Sequence, residues 1–303
     1  MMSGNKNRTP NYKRKRALTA WLFLLPFLCL FTVFTIYPVV QGVWVSMNNW
    51  SLMGRLKFVG ADNYVKMFHD HKFIEALQHT CIFVVMCVPL VSFMALVLAL
   101  LANRPTKFKK FLRVSYYLPG ILSVSVASYI AKYAFSPYNG LVNGVLRSFG
   151  LITTESEPLW MQDYPLVWFT VVLMTCWWTL GFPMLLYLSA LQDISPELME
   201  AAEVDGANAR QQLFHITLPL LRPTIFLVVL LQIIASFKVF AQIQLITGGG
   251  PASKTRPLIQ YIYEQAFDKN KMGYAAAMSY SLFAILCVVT LIQLKFQNKM
   301  EAD

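Results

Sequence analysis

Gln232 and Ser236 stand four residues apart in the apolar run LLQIIASFKVFAQIQLI, and Trp178, Thr179 and Phe182 stand in CWWTLGFPMLLYLSA. Residues four apart share a helical face. Gln232 and Ser236 therefore pair on one face, which Val239 and Ile243 extend, and Trp178 and Phe182 pair on another with Thr179 beside them. An amide, two hydroxyls and two aromatic rings bind ligands; they do not make or break bonds. Polar groups inside an apolar span are costly and face a cavity or a partner helix. Two readings stay open: the five residues line a pathway, or the aromatics pack as an interfacial belt and Gln232 joins helices. Lys238, in the same run, either snorkels to the interface or lines that pathway.

Catalytic chemistry finds little support. There is no Ser/His/Asp set, no HExxH and no paired intramembrane carboxylate, which disfavours a membrane enzyme. A stand-alone ion-coupled carrier usually needs intramembrane Asp or Glu, and the apolar runs contain none. The stretch Gly248–Pro251 lacks the Gly-Lys-Ser/Thr of a phosphate-binding loop, so ATP would be handled by another subunit. His69, His71, His79 and His215 are scattered without metal-ligand spacing. Cys29, Cys81, Cys87, Cys176 and Cys287 lie in apolar runs with no CxxC pair. No metal or cofactor is expected.

The second unusual feature is polar: EAAEVDGANARQQLFHITLP, Glu200 to Pro219, between two hydrophobic runs. Ser195 can cap a helix with Pro196 at its first position. Glu197 and Glu200 then sit near the positive end of the helix dipole. Ala201 and Ala202 leave room for a partner to approach. Gly206 ends this helix with positive φ, and a second helix runs from Ala209 to Ile216 until Pro219 stops it. Asp193, Glu197, Glu200, Glu203 and Asp205 outnumber Arg210 and Arg222, whereas helices lying on lipid favour Lys and Arg. The segment reads as a docking knob.

These residues need elements to hold them. Charged residues make up 14% of the 303, against about 25% in soluble domains, and 56% are hydrophobic. A crossing helix needs about 20 apolar residues, and six stretches qualify: about 17–45, 76–101, 112–135, 165–190, 224–246 and 274–294. The expectation is an all-α integral membrane protein with six transmembrane helices. Residues 1–16 would be a basic cytoplasmic tail, 17–303 a single transmembrane domain, and 193–219 a cytoplasmic helix-turn-helix between spans four and five. Lys6, Arg8, Lys13, Arg14, Lys15 and Arg16 hold the N-terminus inside, and the basic loop NRPTKFKKFLR falls on the same side. The net charge of +11 thus reflects orientation. No basic patch interleaved with aromatics suggests nucleic acid.

The polar segment resembles the signature of membrane subunits of ATP-binding-cassette importers: EAA, three residues, Gly, nine residues, then I-x-L-P. Here Glu200, Ala201, Ala202, Gly206, Ile216, Leu218 and Pro219 occupy it. FVGADNYVKMF, ITGGGPASKTRPLIQYIYEQAF and GYAAAMSYSLF resemble the carbohydrate-uptake branch, on the side of the larger maltose-permease membrane protein. That resemblance implies a type I importer in the bacterial cytoplasmic membrane. This chain would pair with a second permease, couple through its knob to two cytoplasmic ATPases, and receive a carbohydrate from an extracytoplasmic binding protein. Sugar rings stack on aromatics, and their hydroxyls need amides. The family's sugar contacts, carried over from the signature, fall on or beside Trp178, Thr179, Phe182, Gln232 and Ser236.

Overall fold

The computed structural model describes residues 10–103 and 109–302. Lys6 and Arg8 of the basic tail, and residues 104–108 of the basic second loop, lie outside the described residues. The chain forms two compact units.

The first unit comprises residues through Met67 together with Gln265–Tyr280. It opens with α1 (Pro10–Phe31), a π turn (Thr32–Ile36) and α2 (Tyr37–Ser46). The π turn falls just before Pro38, where a missing amide hydrogen interrupts the regular ladder. From Arg14 to Ser46 these form an apolar rod whose most hydrophobic stretch is entirely unburied. An antiparallel hairpin follows, β1 (Asn48–Ser51) and β2 (Gly54–Phe58), with Asn48 opposite Phe58 and Ser51 opposite Gly54. It corrects the all-α expectation. Gly54, at φ +112°, supplies its turn. After the hairpin comes α3 (Asp62–Phe68). Its Asn63 amide donates to the carbonyls of Ser46 (2.8 Å) and Asn48 (3.1 Å), tying the end of α2 to the hairpin. The Tyr280 hydroxyl donates to the Val39 carbonyl.

The second unit is built on α4 (His71–Asn103), a 33-residue helix. Val91, Ser92, Ala95, Ala99 and Ala102 form its buried stripe. Small side chains there let backbones approach closely. The chain continues through α5 (Lys109–Tyr117), α6 (Val124–Ala134), α7 (Leu141–Ser148), α8 (Leu166–Thr179) and α9 (Gly181–Gln192). It then runs through α10 (Pro196–Val204), α11 (Ala209–Gln212), α12 (Leu218–Leu220), α13 (Arg222–Phe237), α14 (Ala241–Ile246) and α15 (Leu258–Tyr263). The last helix is α16 (Met272–Ala302), whose part beyond Tyr280 belongs here. In this unit α9, α13 and α8 pack on α4, and α14 packs on α6. Their shared core includes Phe83, Val171, Met184, Tyr187, Val228 and Ile243.

Three helices among the described residues are long and apolar enough to cross a membrane, and up to six if each bent pair counts as one span. Three of the expected spans, 112–135, 165–190 and 224–246, are bent. Between Lys110–Ile121 and Val124–Ala134 the chain turns by 101°, at Leu122 and Ser123, whose backbones are extended (ψ 143° and 150°). Between α8 and α9 it turns by 48°. There Gly181 lies so close to α5 that a Cβ would stand 2.8 Å from the Tyr117 Cα. Between Ala209–Leu220 and α13 it turns by 62°, just before Pro223. The fifth run is also interrupted: α13 ends at Phe237, Phe240 leaves helical geometry (φ −151°, ψ −67°), and α14 begins at Ala241.

Candidate functional site

The polar segment folds into a helix, a turn and a second helix. Pro196 opens α10, but the Ser195 side chain makes no capping bond. The helix ends through bonds from the Gly206 amide to the Glu203 carbonyl (3.0 Å) and from the Ala207 amide to the Ala202 carbonyl (2.8 Å). Gly206 has φ +81°, a conformation that other residues adopt only with strain. Asn208 and Gln211 then cap α11 reciprocally: the Gln211 amide donates to Asn208 Oδ1 (2.9 Å) and the Asn208 amide to Gln211 Oε1 (2.8 Å). This capping box satisfies two orphan donors at once.

The second helix does not stop at Pro219. A π turn (Leu213–Thr217) widens the ladder, and α12 carries the chain over Pro219 to a break at Leu221. Proline lies at the start of α12, where its missing donor is harmless.

The outward face of α10 carries Glu197, Leu198, Glu200, Ala201, Glu203 and Val204, all exposed. Val204 is 88% exposed. The two alanines of the signature divide: Ala201 faces out, while Ala202 is buried within the chain, so only Ala201 offers an open approach. Ile216, Leu218 and Pro219 are half-buried and join the knob to α13. One supporting residue carried no sequence signal. Gln212 is buried and donates through Nε2 to the Ala207 carbonyl (3.3 Å), bracing the turn from beneath.

The five intramembrane residues are placed less uniformly. Trp178 is half-buried, and its indole N–H donates to the Leu122 carbonyl (3.0 Å), which pins α8 to the break before α6. The Thr179 hydroxyl donates to the Thr175 carbonyl (2.7 Å) of its own helix. Phe182 is exposed on α9, and the bend between Thr179 and Gly181 breaks the single face that Trp178 and Phe182 were expected to share. Gln232 is half-buried on α13. Ser236 is buried on α13, which packs on α4. Val239 and Ile243 are buried in the core but lie beyond the end of α13, so they do not continue its face. Lys238 is exposed where α13 ends.

A polar cluster at the other end of α4 was not read from the sequence. The Tyr261 hydroxyl donates to Asp70 Oδ2 (2.6 Å), and burial, then the Asp70 carboxylate, push that hydroxyl well above the usual tyrosine range. Arg256 pairs with Glu264 (3.3 Å) and lies over the Tyr261 ring. His79 Nδ1 contacts the Arg256 carbonyl (3.2 Å), and the Leu258 amide donates to Thr80 Oγ1 (2.9 Å). Asp70 and Tyr261 are 191 positions apart, too far for any local pattern to pair them. Among the described residues no group of three or more His, Cys, Asp or Glu side chains could hold a metal ion.

The chain belongs to the family described as the binding-protein-dependent transport system inner membrane component, matched over residues 64–301. The probable ABC transporter permease protein YurN of Bacillus subtilis is 33% identical over 279 residues, covering 91% of this chain and 94% of YurN. The multiple sugar-binding transport system permease protein MsmF of Streptococcus mutans is 33% identical over 282 residues, covering 93% and 96%. Among solved structures, a chain of a bacterial alginate ABC transporter, crystallised with its alginate pentasaccharide-bound periplasmic protein, superposes with a TM-score of 0.82. It is 25% identical and covers 93% of this chain and 94% of its own length. This chain is thus a multi-pass protein of the cytoplasmic membrane and a transporter component, not an enzyme.

Proposed function

We propose that this chain forms one half of the pore of an ATP-driven importer of di- or oligosaccharides. A second, homologous permease supplies the other half. Two cytoplasmic ATPase subunits drive it, and an extracytoplasmic binding protein delivers the sugar. Six spans place both termini and the knob in the cytoplasm. The carbohydrate class is supported by the multiple sugar-binding relative and by the alginate transporter of like fold.

The observation that carries coupling is the geometry of α10 and its turn. Glu200 and Ala201 are displayed outward, Ala202 packs inward, Gly206 reverses the chain at positive φ, and Gln212 braces the reversal. A braced, capped knob can transmit a push; a loose loop cannot. Glu200, Ala201, Ala202 and Gly206 form its head, and Ile216, Leu218 and Pro219 its connection to α13.

For the sugar pathway the proposed set remains Trp178, Thr179, Phe182, Gln232 and Ser236. Trp178 and Thr179 spend their donors on backbone carbonyls, and Ser236 is buried. The exposed Phe182 ring and the Gln232 amide are therefore the groups most open to a sugar.

The test of coupling is Gly206→Val beside Gly206→Asn. No atom lies within 4 Å of where a Cβ would stand, so substitution acts through φ and not through a clash. Valine should strain the turn by roughly 1–2 kcal/mol, whereas asparagine tolerates it. Gly206→Val should lose transport and the stimulation of ATP hydrolysis by loaded binding protein; Gly206→Asn should keep both. Undiminished stimulated hydrolysis and transport in Gly206→Val would sink the proposal.

A further inference from the structure

The segment between α6 and α8 carries an exposed apolar surface outside the coupling knob and the proposed sugar pathway. Its helix, α7, has two unlike faces. The inner face is polar and fully engaged around Glu157, whose side chain is 2% exposed. Glu157 Oε2 accepts from the Tyr138 amide (2.7 Å) and from Asn143 Nδ2 (3.1 Å), and Oε1 accepts from Arg147 Nη1 (2.6 Å). Arg147 Nη2 donates to the Tyr138 carbonyl (2.7 Å), and Trp160 Nε1 donates to Asn143 Oδ1 (2.6 Å). The outer face shows Leu141, Val145, Ser148 and Phe149 at helical spacing, with Leu151 just beyond. Leu141 is 65% exposed, Phe149 76% and Leu151 69%. No charged side chain lies on it.

We propose that α7 is an interfacial helix seated in the outer-leaflet headgroup boundary, with Glu157 holding it there. The placement rests on reading α6 and the α8–α9 pair as membrane spans. Three observations favour phospholipid as the occupant. The apolar surface follows directly in the chain on the exposed side of α6, where Val126 and Ile130 are 47% and 45% exposed. Between the two surfaces stand exposed Lys132, Tyr133 and Tyr138. Amphipathic rings and a long basic side chain at a span end are what the membrane–water interface selects. A docked protein also needs a polar rim able to hydrogen-bond across the contact, and here the amide and guanidinium groups of α7 are turned inward onto Glu157. A short helix with one apolar face and one satisfied polar face suits the headgroup boundary.

The test uses the whole importer in native membranes. Phe149 and, separately, Val145 are replaced by the photoreactive p-benzoylphenylalanine, and the irradiated complexes are read by mass spectrometry. Each position should acquire the mass of one phospholipid. A cross-link to the binding protein or the second permease, or no lipid adduct at either position, would overturn the assignment. Adding Glu157→Ala to the Phe149 variant should cause loss of most of the lipid adduct; an undiminished yield would overturn the holding role. None of these readouts depends on transport, so their failure leaves the sugar-import reading untouched, and the reverse holds too.

Discussion

Gln232 is the only amide of the proposed pathway set, and it sits half-buried on α13, a helix that packs against both α4 and α9. One hydrogen bond to a neutral sugar hydroxyl is worth about 0.5–1.5 kcal/mol net. Gln232→Ala should therefore raise the sugar concentration for half-maximal transport several-fold and leave the assembled complex intact. Ser236→Ala is the contrast. Its side chain is 5% exposed on α13, which packs on α4. Its loss should appear as a lower thermal midpoint of the purified complex with little change in sugar dependence. Measuring half-saturation and thermal midpoint for both variants in one reconstituted set separates ligand contact from helix packing. Unchanged half-saturation in Gln232→Ala would remove that residue from the pathway.

Among the elements, α4 carries the second unit because its buried stripe is narrow. Ala95, Ala99 and Ala102 are completely buried where other helices cross. Overfilling such a site costs about 1–3 kcal/mol, so Ala95→Leu should lower the thermal midpoint and the yield of assembled complex, while leucine at the exposed Val85 should not. Part of this element was legible beforehand: a charge-free run of this length reads as a span, but its closely packed alanine stripe was not read. The reversal at Gly206 was legible too, because glycine after an acid-rich helix has one common use. The size and direction of the bends at Leu122–Ser123 and at Gly181 were not. Hydropathy records how apolar a stretch is and not which way it points, and the close approach of Gly181 to Tyr117 depends on two distant segments. The hairpin at Asn48–Phe58 is short and polar, so it lay below any periodic signal. Gln212 looked like an ordinary exposed glutamine until the fold placed the Ala207 carbonyl beside it. The Glu157 network is of the same kind: each member is unremarkable alone, and only folding brings them together.

For the whole molecule, the decisive matter is which side of the membrane each loop occupies. Phe23 and Phe34 are 82% and 74% exposed on the long N-terminal rod, a surface suited to hydrocarbon and not to water. By the positive-inside rule, Arg14, Lys15 and Arg16 at its start favour a cytoplasmic position for that end, as proposed above. If each bent pair is one crossing, the chain passes six times, and the knob falls inside. The loops holding Glu155 and Lys254 then fall outside. All three proposed label sites, Glu155, Lys254 and Asn208, are exposed, so reactivity reports sidedness and not burial. Glu155 is preferable to its neighbour Ser156, whose hydroxyl closes a small capping box with Thr153. Cys87 and Cys176 stay in place because they are buried in the core. In intact cells, Glu155→Cys and Lys254→Cys should react with a membrane-impermeant maleimide above the parent background, and Asn208→Cys should react only after the membrane is opened. If the 101° turn between α5 and α6 is instead a re-entrant loop, the chain crosses once fewer before the knob. Asn208→Cys would then label in intact cells, and the ATPases could not reach the signature helix from the cytoplasm. One pattern of labelling thus tests the bend geometry, the orientation and the coupling proposal together.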